Sequence, residues 1–323
     1  DLETPVSIMI RVANKKANSF LLESVQGGSQ RGRYSAIGLD PDLIWKCQGS
    51  KAEINHNPSD KKSEFIKEKV SALNSLEAII DESRIDIPEN LPPMSSGLFG
   101  YIGYDMIRLM EKIPDKNKDS LNLPDGLLIR PKIMIIFDNV EDVVYIITPI
   151  WPKKSMGILS AYKAGEKRLI NIVNSFEKRI VKEKSKKTKN YSPKPKSNTT
   201  KSQYFTMVKK AKKYIRDGDI FQVVPSQRFS IPFAKPPFNL YRSLRRLNPS
   251  PFLFFMNFGN FSIVGSSPEI LVRLKDNQVT IRPIAGTRKR GSNKREDRKL
   301  SEELLKDPKE ISEHLMLLDL GRN

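Results

Sequence analysis

Two carboxylates near the end of the sequence, Glu310 and Glu313, stand three residues apart in Lys309-Glu310-Ile311-Ser312-Glu313-His314. On a helix that spacing lets both converge on one cation. The same spacing also fits a plainer arrangement in which Glu310 caps the helix and Glu313 faces solvent. Spacing alone leaves both open. The two histidines add little: His56 lies in the polar stretch Asn55-His56-Asn57-Pro58, and His314 falls on a different helical face from Glu313, where packing or support is expected rather than ligation. The single cysteine, Cys47, excludes an intrachain disulfide and a thiolate metal cluster, and in its alternating stretch it reads as a small buried hydrophobe.

These residues need elements to position them. Asp307 as N-cap, Pro308 at the first helical position and Glu310 two residues later open a helix with Ile311, Leu315 and Leu318 along one face. Upstream, Ser202 as N-cap and Tyr204, Met207, Val208, Ala211, Tyr214 and Ile215 mark another helix, closed by Gly218. Ile220–Ile231 reads as a strand. Phe252–Phe258 and Phe261–Val264 form a hairpin across Gly259-Asn260, and Glu269–Leu274 and Val279–Ile284 form another across Asp276-Asn277.

Nearer the start, Phe65, Ile66, Val70, Leu73, Leu76 and Ile80 recur at helical spacing, and a second amphipathic helix spans about Met156 to Ile180. Lys132–Phe137 and Val143–Ile147 read as strands paired around Asp138-Asn139. Successive hairpins with segregated helices predict an α+β fold of antiparallel β-sheets flanked by helices. No internal repeat is present.

Composition bounds the function. The 323 residues carry 56 basic and 37 acidic side chains, a net charge of +19, and 38% of them are apolar, enough for a folded core. No stretch approaches the roughly 18 apolar residues that cross a bilayer, and the start Asp1-Leu2-Glu3-Thr4-Pro5 lacks the features of a signal peptide, so no membrane partner and a cytoplasmic location are expected. The basic excess invites a nucleic-acid-binding module as a rival reading. From Lys178 to Lys201, however, ten basic residues face one acid, Glu183, in a stretch rich in Ser, Asn, Thr and Pro with a single aromatic, Tyr191, and no series of stacking aromatics. That composition reads as a flexible loop over 181–201 between a front region, 1–180, and a back region, 202–323, and no nucleic-acid partner is expected.

Seven phrases occur in order: Asp1-Leu2-Glu3-Thr4-Pro5-Val6-Ser7, Leu21-Leu22-Glu23-Ser24, Gly218-Asp219-Ile220-Phe221-Gln222-Val223-Val224, Asn248-Pro249-Ser250-Pro251, Gly265-Ser266-Ser267-Pro268-Glu269, Pro283-Ile284-Ala285-Gly286-Thr287-Arg288 and the Lys309–His314 phrase. Together they closely resemble anthranilate synthase component I, among the chorismate-utilising enzymes. The resemblance implies a two-layer sandwich fold, with an N-terminal region in 1–180 and a chorismate-binding region in 202–323.

It also implies a lyase of tryptophan biosynthesis. Ammonia, made from glutamine by a partner amidotransferase subunit, adds to C2 of chorismate as the 4-hydroxyl leaves; pyruvate is then eliminated to give anthranilate, with Mg²⁺ required. By the same resemblance Glu269 is the acid that protonates the leaving hydroxyl, and Gly286 and Thr287 contact the substrate. Glu313 is a Mg²⁺ ligand with Glu310 beside it, while Arg288 and Arg290 add positive potential or are plain surface. Gln222 stands where relatives that add water carry a lysine base, and Ala285 where aminodeoxychorismate synthase, the nearest rival, usually has a lysine.

Glu23, Ser24, Pro251, Phe252 and Leu253 resemble the tryptophan feedback site, Glu23 and Ser24 holding the ammonium and the Pro-rich turn forming an apolar wall. Tyr101, Tyr104 and Asp105 are expected to be structural. The sequence stops just past an apolar helix. The resemblance places a catalytic histidine, substrate-clamping arginine and lysine, and a further Mg²⁺ glutamate beyond Asn323, so a truncated piece, an incomplete fold and an inactive 1–323 fragment are expected.

Overall fold

The structure, a computed structural model, describes residues 3–13, 16–24, 32–151, 157–179 and 193–322. In chain order the elements are α1 (Pro5–Ala13), β1 (Ser19–Glu23), β2 (Tyr34–Gln48), β3 (Lys51–Asn55), β4 (Ile66–Ser71), α2 (Ala72–Glu82), β5 (Phe99–Ile102), β6 (Gly126–Asp138), β7 (Val143–Ile147) and α3 (Ile158–Phe176). There follow β8 (Lys196–Ser197), α4 (Lys201–Asp217), β9 (Phe229–Ser230), α5 (Pro237–Leu247), β10 (Phe252–Asn257), β11 (Ser262–Ser267), β12 (Arg273–Lys275), β13 (Gln278–Thr280), α6 (Lys294–Lys306) and α7 (Pro308–Arg322). They form two compact units, 1–180 with 237–323, and 181–236. None of the helices is long and apolar enough to cross a membrane.

The first unit is organised by two long strands. β2 pairs with β6 from Tyr34↔Asp138 to Cys47↔Gly126, with a bulge between Pro41 and Leu43 that bends both. On the far edge of β2, β1 takes the first half and β3 the second; on the far edge of β6, β7 and β5 divide in the same way. β10 and β11 extend the β1 side and β4 the β3 side, all antiparallel. The result is two half-sheets sharing their central strands. Their facing surfaces meet in a core of Phe20, Ala36, Ile44, Leu127, Ile129 and Met134, where the rings of Phe20 and Phe99 stack at 4.7 Å.

Alternation along the strands sends the other residues outward to helices. Leu21, Ile37, Ile135 and Phe255 pack under α1, α3 and α5 with Ile8, Met9, Ile172 and Tyr241. Leu43, Trp45, Cys47 and Ile54 pack against Ala72 and Ile79 of α2. The α+β reading with antiparallel sheets therefore holds. Cys47 is buried beside Met106, and burial pushes its thiol up to about 11, so it is the inert hydrophobe expected. Burial likewise pushes the Tyr101 hydroxyl up to about 12, and that hydroxyl donates to the Pro124 carbonyl at 2.7 Å.

Buried charge inside this unit is paired. Arg130 grips Asp42 through two bonds of 3.0 Å, donates to Glu82 and Ser83, and lies 4.4 Å from the centre of the Trp151 ring.

Several expectations need correction. The helix read from Phe65 to Ile80 begins as strand β4: Ile66 and Lys67 pair with Ile54 and Glu53, and Ser71 then caps α2 by accepting from the Asn74 N–H at 3.2 Å. Ile66 and Val70 point to solvent, so the helical spacing that included them was coincidental. The division into front and back regions is also not the division of the fold, because β10 pairs with β1 in register Glu23↔Leu253, joining the hairpin after residue 251 to the first sheet. The β6–β7 and β10–β11 pairs stand where the sequence puts them, while of the hairpin read over Glu269–Leu274 and Val279–Ile284 only the ends at the Asp276-Asn277 turn pair, as Arg273–Lys275 with Gln278–Thr280.

In the second unit, α4 starts at Thr200 rather than Ser202. Thr200 Oγ1 accepts from the Gln203 N–H at 3.2 Å while Gln203 Oε1 accepts from the Thr200 N–H at 2.9 Å, a reciprocal cap. Gly218 closes the helix at φ 81°, a left-handed conformation that favours glycine. Of the strand read over Ile220–Ile231 only Phe229–Ser230 is formed, paired with β8. Residues 181–192 of the Lys-rich segment lie outside the described residues.

Candidate functional site

The site region begins where the sheet stops. The Ser266 hydroxyl at the end of β11 donates to the Asn248 carbonyl at 2.8 Å, and the Ser250 hydroxyl donates to the Ser267 carbonyl, so the Asn248–Pro251 turn braces the strand. Ser267 Oγ next accepts from the Glu269 N–H at 3.3 Å, fixing the backbone of Glu269 two residues beyond the strand. The Glu269 side chain is exposed and turns across the following hairpin, where its Oε1 accepts from the Ile284 N–H at 3.0 Å. That hairpin turns on Asp276 and Asn277 at φ 50° and 58°, the left-handed pair a two-residue connection requires.

After β13 the chain passes α7: Ile281 lies against Gly321 near one end of the helix and Gly286 against Glu310 near the other. A Cβ at Gly286 would overlap the Glu310 carboxylate, so a larger residue there would displace that side chain.

The first turn of α7 is tied to the same place. Asp307 Oδ1 accepts from the Lys309 N–H at 3.0 Å and the Glu310 N–H at 3.4 Å, so Asp307 is the N-cap the sequence implied. Glu310 does not close a capping box, because its Oε1 takes Arg288 Nη1 at 3.3 Å, while Arg288 Nη2 donates to Asp307 Oδ2 at 2.7 Å. The bond to Glu310 and the two negative charges raise the Arg288 guanidinium further above its ordinary range. Burial pushes Asp307 up, but the N–H groups of Glu310 and Lys309 and the Arg288 charge outweigh it and hold the carboxyl below its usual value.

Of the residues singled out in the sequence, the structure sets Glu310 against Gly286 and ties Glu269 to the Ile284 N–H, two residues before Gly286. A cavity of 240 Å³ opens beside them between α6, α7 and the Ala285-Gly286 turn, lined by Leu304, Leu305, Glu310, Ile311 and His314 among others. Glu269 and Glu313 do not line it, and Glu313 is exposed. His314 does, one helical turn beyond Glu310; the i,i+4 relation to Glu310 was the signal to follow. The Arg288 clasp was also missed, although a cation directly after Gly286-Thr287 and a helix opening with two acids were both visible. Gln222 is exposed, outside any element, in the second unit.

As to metal, Glu310 and Glu313 offer the oxygen donors Mg²⁺ favours, but among the described residues no group of three or more acidic, histidine or cysteine side chains could hold an ion. Arg288 holds one Glu310 oxygen. The described residues therefore do not by themselves make a metal centre.

The residues matched to a feedback site are partly taken up by the fold. Glu23 is buried at the end of β1, with Arg245 donating from Nε at 2.8 Å to one carboxylate oxygen and from Nη2 at 2.9 Å to the other, and the Tyr241 hydroxyl donating as well. Burial and the Glu23 charge push the Tyr241 hydroxyl far up, so it stays a donor. Both Glu23 oxygens thus answer α5 rather than standing open to an ammonium group. Leu253 is buried in the core; Ser24 and Pro251 are half-buried and Phe252 is exposed.

Residues 18–323 match the family described as chorismate binding enzyme. The whole chain is 50% identical to an anthranilate synthase component 1 from Cereibacter sphaeroides and 41% identical to one from Pseudomonas putida, and it spans 65% of the length of each. A crystal structure of anthranilate synthase component I from Streptococcus pneumoniae superposes with a TM-score of 0.72 at 31% identity, covering 93% of this chain and 62% of that one. The fold, the Gly286 turn and the family match agree, and the chain belongs to the chorismate binding enzymes.

Proposed function

We propose that the chain is part of an anthranilate synthase component 1, which converts chorismate and ammonia to anthranilate and pyruvate in tryptophan biosynthesis. What supports this reading is that Glu310 at the start of α7 lies against Gly286, and Glu269 is bonded to the Ile284 N–H two residues earlier, in a chain 50% identical to a protein of that name. In this reading the substrate carboxylates approach the Gly286 backbone, where absence of a side chain permits close contact. Glu269, held by the Ile284 N–H, gives its proton to the 4-hydroxyl as that group leaves, because loss of hydroxide itself is prohibitive. Ammonia attacks at C2 and needs no lysine base, in keeping with Gln222. Ala285 cannot attack the ring, which favours ortho over para amination.

The word component in the names of the relatives supports a partner subunit, proposed as the glutamine amidotransferase that supplies ammonia. Mg²⁺ would supply charge neutralisation at the substrate carboxylate, with Glu313 and Glu310 as this chain's candidates, and no step is derived through it. Tryptophan feedback is proposed at Ser24, Pro251 and Phe252, beside the Glu23–Arg245 pair. In a protein carrying the full length of the relatives, Glu269→Gln should lower the rate of anthranilate formation, read by fluorescence, by about 10²- to 10⁴-fold with thermal unfolding unchanged. An unchanged rate removes Glu269 from the chemistry, and a para-aminated product by mass spectrometry replaces the reading with aminodeoxychorismate synthase.

A further inference from the structure

We propose that Ser267 is a positioning residue whose hydroxyl clasps the backbone of Glu269 and so aims the Glu269 carboxyl at the leaving hydroxyl of the substrate. The inference rests on reading Glu269 as the acid. Ser267 Oγ donates to the Glu269 carbonyl at 2.9 Å and accepts from the Glu269 N–H at 3.3 Å, so one hydroxyl holds both main-chain polar groups of that residue. Pro268 between them has a fixed φ and no N–H, which leaves the Glu269 N–H as the first main-chain donor after Ser267. At the far end of the side chain, Glu269 Oε1 accepts from the Ile284 N–H at 3.0 Å. Glu269 is exposed, so packing does little to fix it and these bonds set where it stands.

The clasp is anchored in the sheet. Ser267 is the last residue of β11 and pairs with Phe252 of β10. Its carbonyl accepts from the hydroxyl of Ser250, a residue only 5% exposed, and Ser250 Oγ accepts in turn from the Phe252 N–H at 3.4 Å. Ser267 therefore has its backbone on the paired side and its hydroxyl on the exposed side, where the sheet gives way to the segment carrying Glu269. Misplacing a catalytic group by about 1 Å can cost up to about 10²-fold in rate, so a loose Glu269 would be a poor acid. Serine suits the position because one oxygen both donates and accepts. Threonine keeps that oxygen, whereas alanine and valine lack it.

The test uses a protein carrying the full length of the relatives, given chorismate and ammonium, with kcat and KM read from anthranilate fluorescence. Ser267→Ala should lower kcat by about 5- to 50-fold and leave KM for chorismate within about twofold, because the hydroxyl acts on the acid and not on substrate binding. Ser267→Thr should restore kcat to within about threefold of the unmodified protein, while Ser267→Val should stay as slow as Ser267→Ala. In a Glu269→Gln background Ser267→Ala should cost no further rate, since its whole effect passes through that carboxyl. An unmodified rate in Ser267→Ala, with Glu269→Gln slow, overturns the clasp and leaves the acid reading standing. Equal losses from Ser267→Ala on both backgrounds overturn it too. An unchanged rate in Glu269→Gln removes the acid and the clasp together. Should Ser267→Ala fail to fold, the Ser267→Thr and Ser267→Val pair carries the test, and equal kcat in the two overturns the proposal.

Discussion

Between β1 and β7 the first unit leaves Trp45, Phe20, Leu21, Ile37 and Met134 2% exposed or less, whereas from Pro268 to Arg322 no residue is buried. The two regions are held by different forces. Around β2 and β6 the structure depends on apolar area removed from water and on close packing. From Glu269 onward it depends on charge-assisted bonds: Arg288 to Asp307 and Glu310, Arg290 to Asp297 at 2.6 Å, and Asn293 capping α6 through the Glu296 N–H at 3.0 Å. A core of the first kind resists pH and salt but punishes lost volume. A region of the second kind tolerates truncated side chains and answers to acid. The chemistry proposed here sits in the second kind, where local opening costs least.

The contrast can be broken most sharply by cavity creation. Ile135→Ala, at a fully buried site, should lower unfolding free energy by about 2–5 kcal/mol, while Leu315→Ala, at 56% exposure on α7, should stay within about 1 kcal/mol. Urea titration measures both, Ile135→Ala by tryptophan emission and Leu315→Ala by the helix signal in far-ultraviolet circular dichroism, and similar losses would erase the distinction.

Acid should separate the regions next. Hydrogen bonds from Ser292 hold Glu296 low, and the Arg290 bond does the same for Asp297; Asp307 is also held low. A carboxyl whose folded value lies below its unfolded value of about 4 adds stability above pH 4, and that contribution is lost as pH falls through the lowered value. Both tryptophans, Trp45 and Trp151, lie outside the site region. Far-ultraviolet circular dichroism should therefore lose helix signal from α6 and α7 below pH 4 before tryptophan emission moves; coincident transitions would make the regions one cooperative unit.

The smallest effect sharpens the picture locally. Asn293→Ala removes the α6 cap at about 1 kcal/mol of helix stability, visible as faster hydrogen exchange over Arg295–Asp297 and as no shift in the tryptophan-detected transition.

Legibility followed the same divide. Alternation and turn residues made β6–β7 and β10–β11 readable, because pleated strands with one buried face repeat every two residues. β4 was hidden since its apolar residues point outward and its pairing with β3 is a tertiary choice. α6 gave only a short apolar stripe, Leu300 and Leu304, among charged residues, and rests also on its cap and on i,i+4 pairs such as Arg298–Glu302 at 3.0 Å. In the site, Glu269, Gly286 and Glu310 came from motif resemblance; Glu310 lies against Gly286, and Glu269 bonds the Ile284 N–H. That Glu310 is shared with Arg288, and that Glu23 is committed to Arg245 and Tyr241, depends on side chains 22 and more than 200 residues apart meeting in space. No local pattern encodes that.

Cys47, the sole thiol, lies sealed between β2 and α2 against Met106. An alkylating reagent can reach it only when that corner of the molecule comes apart. The chain thus carries its own single-site reporter, and the rate of labelling is a clock for breathing of the half-sheet that lies away from the hairpin leading to Glu269.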